Sequence, residues 1–291
     1  MRYGAIEAGG TKFVCAVGDE HGNVEERVSF PTSKPEETLQ LVVDFFHDKQ
    51  ITALGVGAFG PVDVKENSPS YGTIGNTPKL QWTDYPLLKE LESKLNVPVK
   101  LNTDVNAAAL GEYMHGAAKH ADSCLYITVG TGIGAGAIVN GKTLQGFSHP
   151  EMGHIVVRKS AHDAYPGNCP YHRDCLEGLA AGPAIEARWG EKAQKLYHQD
   201  EVWRLEAYYL AQAIMSYTLV LSPGKIIMGG GVMKKEGLHH MVQQELEQLM
   251  QDYVPLPENY LVPPGLQDNA GIVGALLLAK EAQAKGKEIL S

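Results

Sequence analysis

The chain has 291 residues, enough for one large domain or two ordinary ones. Lysines and arginines total 25 against 34 aspartates and glutamates, a formal net charge of −9. That balance lacks the basic face a nucleic-acid binder needs to neutralise phosphates, so no nucleic-acid partner is expected. Apolar residues make up 44% and charged residues 20%, the profile of a soluble globular protein. No apolar run reaches the roughly 18 residues of a membrane span, and MRYGAIEAGG lacks the apolar core of a signal peptide, so a cytoplasmic protein with no membrane contact is expected.

RYGAIEA is short and apolar and predicts a strand; the turn GGT separates it from a second strand, FVCAVG, which ends in the turn DEHGN. TSKPEETLQLVVDFF predicts a helix, with Ser33 and Glu36 as a capping box and Leu39, Val42, Val43 and Phe46 on one face. ITALGVGA (51–58) reads as a buried strand ended by Gly60-Pro61. VPVKLN (97–102) is another, running into Thr103-Asp104 and a helix, VNAAALGEYM. The opening pattern then returns in CLYITVGTGIGAGAIVNGK (124–142): strand, glycine–threonine turn, strand, and an Asn-Gly turn suited to a hairpin. Two such hairpins predict two related halves. Helices are expected over 201–220 and 238–252, a strand in KIIMGGGV (225–232), and a final amphipathic helix in NAGIVGALLLAKEAQAK. No Ser/Gly linker separates the halves, so they are expected to pack around a cleft.

Gly9, Gly10, Thr11 and Lys12 lie at the first glycine turn, and Gly130, Thr131, Gly132 and Gly134 at the second. Glycine lets a backbone approach phosphate oxygens, and threonine adds a hydroxyl donor. One such turn is ordinary punctuation; two in matched hairpins point to a pair of phosphate loops. GTGIGAG superficially matches the dinucleotide motif GxGxxG, but that motif must open a helix whose N-terminus takes the pyrophosphate. Here a strand follows. No GxxxxGK[ST] occurs either. Asp104, ending a strand and opening a helix, suits either a helix cap or a catalytic base.

NCPYHRDCLEG (168–178) sets Cys169 and Cys175 around His172, with His154 upstream in EMGH. Four nitrogen and sulfur donors suit tetrahedral zinc. A disulfide, or free thiols beside surface histidines, are the alternatives, and a reducing compartment disfavours the disulfide. Cys15 and Cys124 lie in apolar strands and are expected to be buried thiols.

EAGGTK (7–12), TDVNAAALGE (103–112), VGTGIGAG (129–136), HPEMGH (149–154), CPYHRDCLE (169–177) and MGGGV (228–232) together resemble the ROK family of repressors, uncharacterised reading frames and sugar kinases. The resemblance spans almost the whole chain and is strongest to the bacterial ROK fructokinases. It implies an α/β fold of the actin-like ATPase (ribonuclease H-like) type, with two α/β domains around a central cleft. Residues 1–115 plus 277–291 would form the smaller domain and 116–276 the larger. The implied activity is ATP-dependent phosphorylation of a hexose, D-fructose to fructose 6-phosphate, with a kinase for mannose, glucose or an amino sugar as the alternative.

In that frame Asp104 is the general base. Thr103, Glu151, His154 and Glu177 are sugar contacts, joined by Asn76 in the loop IGNTPKLQW. Gly229, Gly230 and Gly231 would let adenine lie against the backbone, with Asn269 and Gly271 beside it. The resemblance also implies Mg²⁺, structural Zn²⁺ on His154, Cys169, His172 and Cys175, and a homodimer. Three positions depart from the family pattern: Glu7 stands where relatives carry Asp, Thr103 where many carry Asn, and His172 where they place a third cysteine. A non-catalytic sugar-sensing regulator is the reading from another class. It would need a DNA-binding segment ahead of the first strand, and that strand begins within a few residues of Met1.

Overall fold

The computed structural model describes residues 1–290, with side chains through Lys285. In chain order the elements are β1 (Tyr3–Ala8), β2 (Lys12–Gly18), β3 (Val24–Pro31), α1 (Pro35–Phe46), β4 (Leu54–Ala58), α2 (Leu87–Leu95), β5 (Val99–Thr103), α3 (Asp104–His115), β6 (Ser123–Val129), β7 (Ile133–Val139), β8 (Lys142–Thr143), α4 (Leu176–Ala180), α5 (Gly182–Trp189), α6 (Asp200–Leu221), β9 (Lys225–Gly229), α7 (Leu238–Met250), β10 (Leu261–Val262) and α8 (Ala270–Leu290).

Each of two compact units holds one five-stranded sheet. The first sheet runs β3-β2-β1-β4-β5 and the second β8-β7-β6-β9-β10. In both, a hairpin (β1/β2, β6/β7) pairs antiparallel, and the next long-range strand (β4, β9) joins parallel to the hairpin's first strand. The two sheets therefore share one topology, and the two related halves expected from the repeated hairpins are present.

The first unit comprises Met1–Lys119, Thr143–His149 and the chain from Gly265 onward; the second comprises His120–Lys142 and Pro150–Pro264. Residues 265–276, expected in the larger domain, thus belong with the N-terminal sheet. The reason is physical. Glu112 of α3 is fully buried, and its carboxylate accepts backbone N–H groups from Ala117 (2.6 Å), Gly265 (3.0 Å) and Leu266 (2.9 Å). That pins the returning chain to α3 before α8 begins.

Strand alternation then sorts the first unit's core. Ile6, Ala8, Phe13, Cys15 and Val17 face one side with Leu39, Val42 and Phe46 of α1 and Leu87 and Leu91 of α2. Tyr3, Ala5, Val14 and Ala16 face the other, against Ile272, Ala275, Leu276 and Ala279 of α8. Helix α8 can seat this deeply because small residues line its path. A Cβ on Gly55 of β4 would lie 1.8 Å from the Ala275 carbonyl oxygen, and one on Gly274 would lie 1.7 Å from that of Ala107 in α3. The final helix is accordingly buried all round over Ala270–Ala279 rather than amphipathic throughout.

Two local expectations differ from the structure. No capping box forms at Ser33 and Glu36: Lys34 is the N-cap, Pro35 opens α1, and the Ser33 N–H donates to Thr38 Oγ1 at 3.0 Å. Proline's fixed φ sets the helix start without a side-chain cap. Strand β3 differs from the sequence reading, which assigned no strand there: Glu25, Glu26 and Arg27 are exposed on a sheet edge, where charge discourages further strand pairing, while Val28 and Phe30 pack partly buried against the core. The hairpin turn at Asn140-Gly141 has the positive φ values, 52° and 72°, that its sequence calls for. Cys15 and Cys124 are buried and form no disulfide, as expected. No helix among the described residues is long and apolar enough to cross a membrane.

In the second unit α6 backs the loop after β8. Tyr217 Oη donates to the Met152 carbonyl at 2.5 Å, and Tyr209 Oη to Asp163 at 2.6 Å. Asp163 also pairs with Arg188 at 3.1 Å, with both side chains buried. Beside them Glu206 is 2% exposed, and its Oε1 has no hydrogen-bond partner among the described residues. Burial pushes its carboxyl well above the usual range; Arg188 opposes this, but its guanidinium is engaged by Asp163. A carboxyl raised in the folded state contributes its stability below the ordinary carboxylate pKa and loses it as pH rises through the folded value. Glu206→Gln should therefore flatten the alkaline decline in melting temperature. The gap between variant and wild type should widen in the variant's favour by about 3 °C or more between pH 5 and pH 8. Parallel melting curves would refute the assignment.

Candidate active site

Asp104 is the first residue of α3, not its cap. The cap is Thr103, whose Oγ1 accepts from the Asn106 N–H at 3.1 Å. Such a cap contributes about 1 kcal/mol. Asn102 completes the turn: its Oδ1 accepts from the Thr103 N–H at 2.9 Å and from Asn106 Nδ2 at 2.8 Å. Asp104 Oδ1 accepts from the Val105 N–H at 2.8 Å. The carboxylate thus sits in the positive end of the α3 dipole, which favours its ionised form. Gly57 of β4 gives α3 room to begin there, since a Cβ on it would lie 3.2 Å from Asp104 Cα. Thr103 is buried at 3% exposure, and its oxygen already serves the helix. Sequence reading missed Asn102, Asn106 and Glu112, which look like ordinary polar residues until the turn and the chain return bring their partners to them.

In the first glycine turn the Gly9 N–H donates to the Lys12 carbonyl at 3.0 Å, and Thr32 Oγ1 donates to the Gly9 carbonyl at 2.7 Å. Thr11 and Lys12 are exposed, and a Cβ on Gly10 would meet nothing within 4 Å. Behind the turn lies Glu7. Burial raises its carboxyl above the usual range, Arg27 and Lys12 pull it down, and Asp268 pushes it up. Arg27 also donates to Asn269 Oδ1 at 2.7 Å and to the Asp268 carbonyl at 3.3 Å. Gly271 faces the Glu7 carboxylate, which a Cβ there would approach to 3.0 Å. Asn269 and Gly271 lie in the first unit, against Arg27 and Glu7. Asn76 is exposed, on a loop held where Val62 bridges Ile74 and the Gly75 N–H donates to Pro61. His149, also in the first unit, is buried and accepts the Val62 N–H at its Nε2 (3.2 Å).

The second glycine turn occupies the matching place in its hairpin but is one residue shorter. The Gly130 N–H donates to the Gly132 carbonyl at 2.9 Å, Thr131 is exposed, and Gly134 pairs with Thr128 inside the hairpin. Near it, Gly230 takes φ 94°, where any Cβ would strike the Val129 backbone, and a Cβ on Gly231 would find open space. Gly229 packs under Tyr126 and Pro264.

The cysteine–histidine knot forms in this same unit. Cys169 and Arg173 exchange backbone hydrogen bonds of 3.2 and 3.0 Å, closing a small loop around His172. The Leu176 N–H donates to the Ile155 carbonyl at 2.9 Å, which lays His154 beside Cys175. His154 Nδ1 lies 3.5 Å from both Cys169 Sγ and Cys175 Sγ, and His172 Nδ1 lies 3.8 Å from Cys169 Sγ. All four donor atoms fall within 4.8 Å of one another. Tetrahedral zinc with ordinary Zn–S and Zn–N lengths separates its ligand atoms by about 3.3–3.8 Å, so the donor set fits that ion. Without a cation the site is unfavourable for charge: burial first, and the neighbouring Cys169, push the Cys175 thiol up to about 11. His154 turns its Nε2 toward Glu177 Oε1 at 3.9 Å. Glu151 is exposed at the head of the Met152–His154 turn, its carbonyl accepting from the His154 N–H at 3.1 Å.

Two mixed-sheet α/β units of one topology, each with a glycine–threonine hairpin turn, define the actin-like ATPase class of fold. The ROK family model matches residues 3–282, and the chain belongs to that family. Fructokinase from Pediococcus pentosaceus is 45% identical over 284 residues, covering 97% of this chain and 99% of that one. Among solved structures, the ROK hexokinase from Thermus thermophilus superposes with a TM-score of 0.80 at 27% identity, covering 99% of this chain and all of that one. A ROK glucokinase from Streptomyces griseus, solved in complex with glucose and AMPPNP, has the same fold, with a TM-score of 0.79 at 24% identity and coverage of 97% and 100%.

Proposed function

We propose that this chain is an ATP-dependent hexose kinase that converts D-fructose to fructose 6-phosphate. The observation that carries the reading is Asp104: a carboxylate at the head of α3, in a chain whose two sheets each carry a glycine–threonine phosphate turn. The fructokinase relative at 45% identity supports fructose as the sugar.

In the reaction the hexose 6-hydroxyl oxygen attacks the γ-phosphorus of ATP. Asp104 takes the hydroxyl proton as the new P–O bond forms. The bond from the γ-phosphorus to the β–γ bridging oxygen breaks, and ADP leaves with that electron pair. Such a transfer asks for placement and charge neutralisation more than for a strong base, so a carboxylate kept ionised by a helix N-terminus suffices. The turns Gly9–Lys12 and Gly130–Gly134 offer backbone N–H groups and threonine hydroxyls to the phosphates. Gly229, Gly230 and Gly231 give the adenine an open backbone surface. Glu151, Glu177, His154, Thr103 and Asn76 are assigned to the sugar, whose hydroxyls bind well to carboxylates.

Mg²⁺, when bound with ATP, neutralises phosphate charge. Glu7 and Asp268, whose carboxyls interact beside the first turn, would supply hard oxygen donors to it, directly or through water. The methylene that Glu7 carries beyond an aspartate is accommodated because residue 271 is glycine. His154, Cys169, His172 and Cys175 would hold a structural zinc ion, closed by four protein ligands. The assembly is a homodimer, for which Val156, Leu219 and Val220 supply exposed apolar surface, and the buried thiols suit a cytoplasmic setting.

A coupled ADP-release assay with Mg·ATP and a panel of hexoses tests the reading, with fructose expected as the preferred acceptor. Asp104→Asn should lower kcat by about 100-fold or more and leave ATP affinity nearly unchanged. No turnover on any hexose would sink the kinase reading, and a near-wild-type kcat would remove Asp104 from the role. Metal analysis of protein purified without chelators should find about one zinc per chain, retained in His172→Cys and lost in Cys175→Ala. A wild-type content below about 0.2 per chain would contradict the zinc assignment.

A further inference from the structure

We propose that Glu177 braces the Gly130–Gly132 turn against the cysteine–histidine knot, so that nucleotide binding as well as sugar binding depends on the knot. The inference rests on the reading of that turn as a phosphate loop. Three contacts carry it, all within the second unit. Glu177 Oε2 accepts the Ile133 N–H at 2.9 Å, directly after the turn, while Oε1 faces His154 Nε2 at 3.9 Å. The Ile133 carbonyl is met from the other side by the ligand segment itself: a Cβ on Gly153 would fall 1.7 Å from that oxygen, so the Met152–His154 turn lies backbone to backbone on Ile133. At the start of the turn, the Gly130 carbonyl accepts the Gly182 N–H at 2.8 Å.

These contacts lead back to the ligands over a few residues. Cys175 is the N-cap of α4, Glu177 sits in its first turn, and Gly182 opens α5 with only Ala181 between the two helices. His154 reaches the knot through Nδ1 and points its other nitrogen at Glu177. A metal-ligating histidine held by a carboxylate is a common way to fix ring orientation. Here the same carboxylate also holds a backbone amide of the nucleotide loop. The arrangement accounts for glycine at 132, where a Cβ would lie 2.7 Å from Glu177 Oε2. Glu177 is thus a positioning residue for the nucleotide in addition to the sugar contact proposed above, with one oxygen committed to the loop.

The test is AMPPNP·Mg²⁺ binding by calorimetry without sugar, together with hydrogen exchange of the peptide spanning 129–136, on zinc-loaded protein. Glu177→Ala leaves the Ile133 N–H without its acceptor. It should weaken AMPPNP about tenfold and speed exchange in that peptide. Glu177→Gln, whose amide oxygen can accept the same N–H, should stay within about threefold of wild type. Chelating the metal from wild-type protein should speed exchange in the same peptide, which keeps the test open if Glu177→Ala folds poorly. Wild-type affinity and unchanged exchange in Glu177→Ala would overturn the proposal, as would a Glu177→Gln defect equal to that of Glu177→Ala. If wild-type protein does not bind AMPPNP, the phosphate reading of the turn fails. The exchange data then decide the brace alone, with faster exchange supporting it and unchanged exchange refuting it.

Discussion

The approach of α8 to backbone distance from β4 and α3 is the constraint on which the first unit depends. Side chains at Gly55, Gly111 or Gly274 would strike carbonyl oxygens of the facing helices. With glycine at these points, Ala107, Ala275 and Ala279 close the seam, and the buried Glu112 carboxylate collects the three amides where the chain returns. The consequence is chemical as well as structural. Helix α3 is held so that its first residue, Asp104, emerges at the end of β5, while Gly271 at the head of α8 comes to face Glu7. Asp104 and Glu7 are thus placed by the packing of α3 and α8.

The second unit repeats the sheet but fixes its turn by other means. Its strands have the same order and pairing directions, yet β8 and β10 have two residues each. What the short strands leave unsupported is held by the knot, α4 and α5. A carboxylate in the first turn of α4 and the Gly182 N–H meet residues 130–133, and the Met152–His154 turn lies against Ile133. A duplicated architecture is thus held in one unit by helix burial and in the other by contacts from the segment that carries the cysteine–histidine cluster.

Much of this was legible in the sequence because the informative signals are local. The two hairpins, the glycine turns, the Asn140-Gly141 turn and the spacing of Cys169, His172 and Cys175 each need only neighbouring residues to be recognised. The family motifs extended that reading to Asp104. What escaped was set by distant contacts. The cap passed from Asp104 to Thr103 because Asn102 and Asn106 complete a turn that no pattern of apolar residues announces. Strand β3 escaped because the charged run Glu25-Glu26-Arg27 interrupts the alternation of Val24, Val28 and Phe30. Asn269 and Gly271 lie against Arg27 and Glu7 because Glu112 ties the start of their segment to α3. Glu177 was legible as an acid in CLE, but its bond to Ile133 spans 44 residues and could come only from the folded chain.

The central claim is that the γ-phosphoryl group passes from ATP to a hexose hydroxyl and not to water. Phosphorus NMR of the chain with Mg·ATP and D-fructose tests it most directly. The account predicts a sugar phosphomonoester signal growing in step with ADP, one for one, with little inorganic phosphate. ADP accompanied by inorganic phosphate alone, or ATP left intact, would contradict it.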